Sequence, residues 1–340
     1  MSGGIDSSVT AALLLEQGYP VIGVTMQLFQ SSHHIADAKL AADKLGIPHH
    51  VFDFRQEFQD QIISYFLEEY NAGRTPNPCV FCNPQIKFGL LFERAHELGA
   101  TYLATGHYVK ITYDKVNGRY VLRASANNAK DQSYFLYRLT QAQLARTLFP
   151  LADLTKDLIR AKAQTLGLAH LLAKSESQGI CFLTDQRYQE FLDRILTPDM
   201  RKPGPILDTQ GNVLGYHQGI QFYTVGQRKG FRIALGTPRY VVAIRPEHNA
   251  IVIGEEPDLL SREMVVRRLN YISIAQLTSP MAVEVKVRYR NRATPALIIP
   301  GNGADEVKVV FNEPKRAITP GQSAVFYQGD IVVGGGIIQS

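Results

Sequence analysis

The first half of the chain alternates short apolar runs with segments of helical spacing. "VIGVTM" (Val21–Met26) and "HHVFDF" (His49–Phe54) read as strands. Between them "HIADAKLAADKLG" carries apolar residues at helical spacing and stops at Gly46. Helices from about Phe58 to Tyr70 and from about Pro84 to Leu98, then the strand "TYLAT" (Thr101–Thr105), continue the alternation. A βαβ series of this kind predicts a parallel sheet covered by helices. "VKITYDKVNGRYVLRAS" predicts a hairpin turning near Asn117-Gly118, and helical patterns then dominate to about Leu196.

The pattern changes at "TPDMRKPGP" (Thr197–Pro205). Beyond it lie short strands separated by "DTQGN", "GQRKG", "RPEHN", "GNGAD", "NEPKR" and "TPGQ". A further break falls near "EEPDLLSRE" (Glu255–Glu263). The expected organisation is an α/β domain over 1–196, a small β-rich domain over 197–260 and a C-terminal β-barrel over 261–340.

Composition changes this picture little, but charge placement adds to it. No apolar run approaches the roughly 18 residues of a membrane span, and no basic-then-apolar leader opens the sequence. A cytoplasmic monomer is the default expectation. The net charge of +5 sits entirely in the last part, where residues 196–340 hold 17 Lys and Arg against 12 Asp and Glu. "GQRKGFR" and "VRYRNR" (Val287–Arg292) lie there, near Tyr223, Phe231 and Tyr289. Cations beside aromatics suit a polyanion with stackable bases, and equally suit a solvated face of strands.

Three cysteines in 340 residues form no disulfide framework. Cys79 and Cys82 stand in "TPNPCVFC", and Cys181 in "SQGICF". A C-x-x-C pair in a reducing compartment points to metal or redox chemistry, or to packed core thiols. The flanking prolines and asparagine predict a loop.

The chain opens "MSGGIDSSVTAALLLEQG". Gly3 and Gly4 can present backbone N–H groups to an anion, Ser2, Ser7 and Ser8 add hydroxyls, and a helix start points its positive end at the same spot. No lysine follows the glycines, which excludes a Walker-type P-loop. The string Ser-Gly-Gly-Ile-Asp-Ser-Ser ahead of an amphipathic helix resembles the loop of the N-type ATP pyrophosphatases (PP-loop enzymes of the adenine nucleotide alpha-hydrolase-like fold), which adenylate a substrate oxygen. The resemblance implies ATP bound by Ser2 through Ser8, with Asp6 helping to hold Mg²⁺.

Further strings narrow the resemblance. "GRTPNPCVFCNPQIKFG", "ATGHY", "KDQSYFLY", "SQGICF", "GQRKG" and "TPGQSAVFY" occur in this order over essentially the whole chain. Together they resemble the tRNA-specific 2-thiouridylases, transferases that replace O2 of the wobble uridine with sulfur. The resemblance implies that Cys181 takes a persulfide from an upstream sulfur carrier or cysteine desulfurase, and that Cys82 attacks it. Asn77, Pro78 and Cys79 would shape the base pocket. Met26 would sit by the adenine and Gly106 would approach ATP. His107, Lys130, Asp131, Gln132, Arg288, Tyr289 and Gln322 would contact tRNA. Lys87 and Phe88 match the motif without an assigned role.

Three features depart from the family pattern. Cys79 stands where aspartate is common. Cys79, Cys82 and Cys181 are therefore also candidate ligands of a [4Fe–4S] cluster. The strand expected before the phosphate loop is absent, so the sequence is expected to start late and to give poorly soluble protein. A tRNA-binding protein impaired in catalysis is then an alternative to an active enzyme. The Gln27–His34 connection is short for the family.

Overall fold

The computed structural model describes residues 1–29, 33–125, 130–172, 179–183, 188–231, 233, 236–303 and 305–339. Among the described residues, parallel pairing in the first domain is confined to two pairs. β1 (Gly23–Gln27) pairs with β2 (His49–Asp53), and β3 (Leu103–Ala104) pairs with β6 (Thr147–Leu148). Met1 lies against β1: its carbonyl accepts the Thr25 hydroxyl at 2.7 Å, and its amino group donates to the Val24 carbonyl. Helices α1 (Ile5–Glu16) and α2 (His33–Leu45) flank β1. The middle of the Gln27–His34 connection lies outside the described residues.

The expected hairpin is β4 (Val109–Asp114) and β5 (Arg119–Ala124), but it does not stay within the first domain. Arg123 of β5 pairs with Ile331 of the C-terminal barrel, so the hairpin extends the barrel's sheet. The Ala124 N–H also donates to the Asp330 carbonyl at 2.7 Å. Local pattern predicts a hairpin but carries no sign of its distant partner.

The middle domain is a four-stranded sheet in the order β8 (Val213–His217), β7 (Gly204–Leu207), β10 (Ala250–Gly254), β9 (Tyr240–Arg245). The barrel is made of β11 (Leu260–Tyr271), β12 (Met281–Lys286), β13 (Thr294–Pro300), β14 (Glu306–Arg316), β15 (Ser323–Gln328) and β16 (Ile331–Ile338). Pairing runs β11-β14-β13-β12-β15-β16 and returns from β16 to β11, closing the sheet and leaving these six strands no free edge. Val266, Val285, Ile298, Val309, Phe311 and Phe326 fill its interior.

The barrel docks onto the first domain through the "KDQSYFLY" segment. Tyr134 and Tyr137 are fully buried. The Tyr134 hydroxyl donates to the Ser323 carbonyl at 2.9 Å, and that of Tyr137 donates to the Gly336 carbonyl at 3.2 Å. A Cβ on Gly335 would stand 2.8 Å from the Tyr137 ring, so this glycine lets the ring pack flat on β16. No helix among the described residues is long and apolar enough to cross a membrane.

Candidate functional site

A cleft of about 3180 Å³ opens between the first domain and the barrel. The phosphate loop, both cysteine segments and the basic barrel segment share its walls.

The loop wall is built on close backbone approach. Gly4 caps α1, and Ile5 begins the helix. Gly3 has φ +70°, and a Cβ there would lie 2.4 Å from the His34 carbonyl. A Cβ on Gly106 would meet the Asp6 backbone at 2.9 Å. Only glycine fits either position. Ser2 and Ser7 are joined, hydroxyl to hydroxyl, at 3.2 Å. Ser8 is fully buried and donates to the Gly4 carbonyl at 3.0 Å, so it braces the loop from behind rather than facing the cleft. Met26 lines the same wall at the end of β1.

Asp6 has partners that sequence reasoning missed. Lys156 donates to both carboxylate oxygens, at 2.7 and 2.9 Å, and the Tyr108 hydroxyl adds a bond of 2.8 Å. The carboxylate is therefore already charge-compensated, by a lysine 150 positions away. The N–H groups at the start of α1 fit a phosphate. A Mg²⁺ on Asp6 would have to share that carboxylate with Lys156.

The opposite wall carries the thiols. Contrary to the loop expectation, Cys79–Cys82 form the first helical turn after Pro78, and the helix runs on to Glu97. Proline at a helix start costs nothing, because its missing N–H is one of the orphan donors there. From Asn83 to Leu90 the helix takes the wider π form. Pro84 supplies no N–H in this stretch, and a Cβ on Gly89 would stand 2.8 Å from the Pro84 carbonyl. The Gln143 side chain donates to the carbonyls of Pro84 and Phe88 at 2.8 and 3.2 Å, satisfying groups that an α-ladder would have paired.

The barrel holds the segment leading into this helix. The Thr75 N–H donates to the Pro320 carbonyl at 2.8 Å, and the Gln322 amide donates to the Thr75 and Pro76 carbonyls at 2.9 and 3.3 Å. Arg74 closes the clamp on buried Glu69. Thus "TPNPC" and "TPGQ", far apart in sequence, meet here, and Asn77 and Pro78 line the cleft.

Cys181 begins a single 3-10 turn, Cys181–Leu183. Phe182 anchors that turn among Phe58, Phe66 and Phe191, with ring centroids 5.1–5.9 Å apart. Ser177 and Gln178 of its motif lie outside the described residues. All three cysteines are free thiols lining one cleft, and they interact electrostatically. Burial raises the Cys79 thiol and pushes Cys82 up to about 11. Cys181 is exposed and lines the cleft, and the surrounding protein, then the neighbouring Cys79 and Cys82, push it up to about 12. The resting site therefore holds protonated thiols. Among the described residues no group of three or more His, Cys, Asp or Glu is arranged to hold a metal ion, so the cluster expectation gains no support from this geometry.

The RNA-contact expectations divide. Lys130 and Tyr289 line the cleft, with the Tyr289 ring 4.5 Å from Phe135. His107 lines it too, between the Thr105 hydroxyl at 2.6 Å and the Lys87 ammonium at 3.4 Å. Burial, and then Lys87, hold its imidazole well below the usual range, so it is neutral. With Lys87 donating to Nε2, the Nδ1–H donates to Thr105. Gln132 lines the cleft while its side-chain oxygen Oε1 accepts the Tyr108 N–H at 3.0 Å. The buried Asp131 carboxylate accepts from the N–H groups of Ser125 and Ser133 and from the Ser133 hydroxyl. It orders its own segment. Arg288 stands outside the cleft: its guanidinium donates to the Val225 carbonyl at 3.0 Å and to the Thr319 hydroxyl, bracing the middle domain against the barrel. Contact with RNA would cost Arg288 those bonds. Lys286, Arg290 and Arg292 are the barrel cations that do line the cleft.

An anion loop on a helix start, thiols opposite and a basic, aromatic third wall define a PP-loop enzyme that modifies RNA. Known proteins agree with that class. Residues 1–185 match the family described as the tRNA methyl transferase HUP domain, 189–255 its PRC-barrel domain, and 261–338 the aminomethyltransferase beta-barrel domain. The tRNA-specific 2-thiouridylase MnmA of Acetivibrio thermocellus is 49% identical, covering 100% of this chain and 98% of that one. Those of Heliobacterium modesticaldum and Caldanaerobacter subterraneus are 51% and 50% identical, covering 99% and 100% of this chain and 91% and 96% of theirs. The chain belongs to the tRNA-specific 2-thiouridylase family.

Proposed function

We propose that the chain is a tRNA uridine 2-sulfurtransferase that works through a Cys181 persulfide, with Cys82 as its partner. The observation that carries this reading is the convergence of the phosphate loop, Cys82 and Cys181 on one cleft. Uracil O2 is a poor leaving group. Its attack on the α-phosphate of ATP expels pyrophosphate, N3 gives up its proton, and O2 becomes part of a good leaving group. Gly3, Gly4 and the start of α1 hold the phosphates through their N–H groups. Bound Mg²⁺ supplies charge neutralisation at the departing pyrophosphate.

Sulfur arrives on Cys181 from a persulfide donor. The Cys82 thiol loses its proton to water in the cleft, and the thiolate attacks the inner sulfur of the persulfide. The S–S bond breaks, a Cys82–Cys181 disulfide forms, and hydrosulfide leaves. Two cysteines are oxidised and the transferred sulfur is reduced, so no external oxidant is needed. Hydrosulfide attacks C2, AMP departs and N3 regains a proton. A dithiol reductant resets the enzyme. Cys79, Asn77 and Pro78 shape the base pocket beside the nucleophile. The uridine reaches it by leaving the anticodon stack, with Lys286, Arg290 and Arg292 against the RNA backbone. A reducing cytoplasm suits three free thiols.

The test supplies purified protein with tRNA, ATP, Mg²⁺ and a cysteine desulfurase with cysteine. Digested nucleosides are then analysed by mass spectrometry. One AMP per 2-thiouridine is expected, with none formed without ATP. Retention of tRNA with neither product would leave only a binding protein.

A further inference from the structure

Among the described residues, the cysteine wall holds a cation that no step above uses. Lys87 is on the same helix as Cys82, and its ammonium donates to the Asn83 side-chain oxygen Oδ1 at 3.0 Å and to neutral His107 at 3.4 Å. The π form explains its place. In an α-helix an i, i+5 pair is splayed well off one face, whereas the π ladder steps by five residues and brings such a pair round. Cys82 and Lys87 are that pair, at the start of the π stretch that Gln143 supports. Both of the groups that Lys87 bonds are neutral acceptors, so its charge is not cancelled by a carboxylate at these contacts.

Among the described residues, the titratable groups facing Cys82 are Lys87 and Cys79 from its own helix and Cys181 from the opposite turn. His107, from the segment after β3, faces Lys87. Lys87 is the one positive group among them, and it favours the thiolate at all three cysteines against the burial that opposes it.

We propose that Lys87 is a positioning residue for sulfur transfer, held by the π turn, Asn83 and His107 as the counter-charge of the Cys82 thiolate. This rests on the persulfide reading for its role in the reaction, but not for its test. The ammonium offsets the burial of the negative sulfur when Cys82 gives up its proton. Asn83 and His107 fix the ammonium without neutralising it.

The test uses the full chain carrying Cys79→Ser and Cys181→Ser, so that Cys82 is the one thiol present. The rate of its alkylation by iodoacetamide is followed against pH by mass spectrometry. Lys87→Met should move the profile of Cys82 to higher pH by about one unit or more. Lys87→Gln, which keeps a donor toward Asn83 and guards against misfolding of the Met variant, should do the same. Lys87→Arg should restore the original profile. An unchanged profile in a folded Met or Gln variant overturns the proposal, as does failure of Arg to restore it. Neither tRNA nor ATP is present, so the shift is read whether or not sulfur travels through Cys181. In the thiolation assay, Lys87→Gln should lower the rate by a similar factor throughout the neutral range, which lies well below the titration of Cys82, and Lys87→Arg should recover it.

Discussion

The barrel and the first domain solve the problem of a β-sheet in opposite ways. Six barrel strands pair in a closed ring, and Val266, Ile298, Val309 and Phe326 are wholly buried within it. In the first domain the described parallel pairing amounts to two separate pairs, β1 with β2 and β3 with β6. What binds that domain together is helix packing and its seam with the barrel, where Tyr134 and Tyr137 are buried in one core with Val325, Tyr327 and Ile337. The chemistry-bearing residues lie where the sheet is least continuous. The barrel completes the site by clamping the "TPNPC" segment through Pro320 and Gln322. It is a structural wall of the cleft and, under the proposed function, a surface for RNA.

The comparison breaks most sharply by opening the barrel. Phe311→Ala, at a fully buried core position, should cost about 3–5 kcal/mol. Because the barrel clamps the cysteine helix, thiolation should fall with it. A thermal midpoint unchanged from the parent would show that the barrel is not the stabilising unit.

Next comes the loop wall. Gly106→Val places side-chain atoms where the Asp6 backbone already stands. AMP release should fall at least about 100-fold, equivalent to about 2.7 kcal/mol. The barrel should melt as before, and a loss in stability as large as that in activity would contradict the division drawn here.

The smallest effect is a pH dependence. His107 is half-buried in the cleft wall and neutral, its folded pKa held well below the ordinary value of 6.5. Its contribution to stability is full above pH 6.5 and is lost as pH falls below that, because the unfolded chain binds the proton more readily. His49 and His217 are lowered in the same direction, so the quantity to measure is the difference between the parent and His107→Gln. The parent should lose the more stability between pH 6.5 and 5. Parallel curves would refute a neutral imidazole.

Sequence pattern revealed what local order encodes. The alternation of strands and helices, the glycine loop and the three cysteines could all be read directly. Short-range chemistry misled at Cys79: two prolines suggested a loop, yet Pro78 sits where a helix accepts proline and the helix starts beside it. Pairings across the chain left no local mark. Asp6 with Lys156, β5 with β16, and Arg288 with Val225 and Thr319 each join segments whose own patterns are complete without the partner. The π turn was hidden for a similar reason, since the Gln143 that satisfies its carbonyls lies on another helix.

The most direct test of the central claim is thiolation by three single variants, Cys79→Ser, Cys82→Ser and Cys181→Ser, with sulfur supplied from cysteine through a desulfurase. The account predicts that Cys82→Ser and Cys181→Ser make no 2-thiouridine and that Cys79→Ser retains activity. It also predicts that mass spectrometry after one turnover finds a Cys82–Cys181 disulfide in the parent. Loss of activity in all three variants, with iron in the anaerobically purified parent and none in Cys79→Ser, would contradict it and return the three thiols to a cluster.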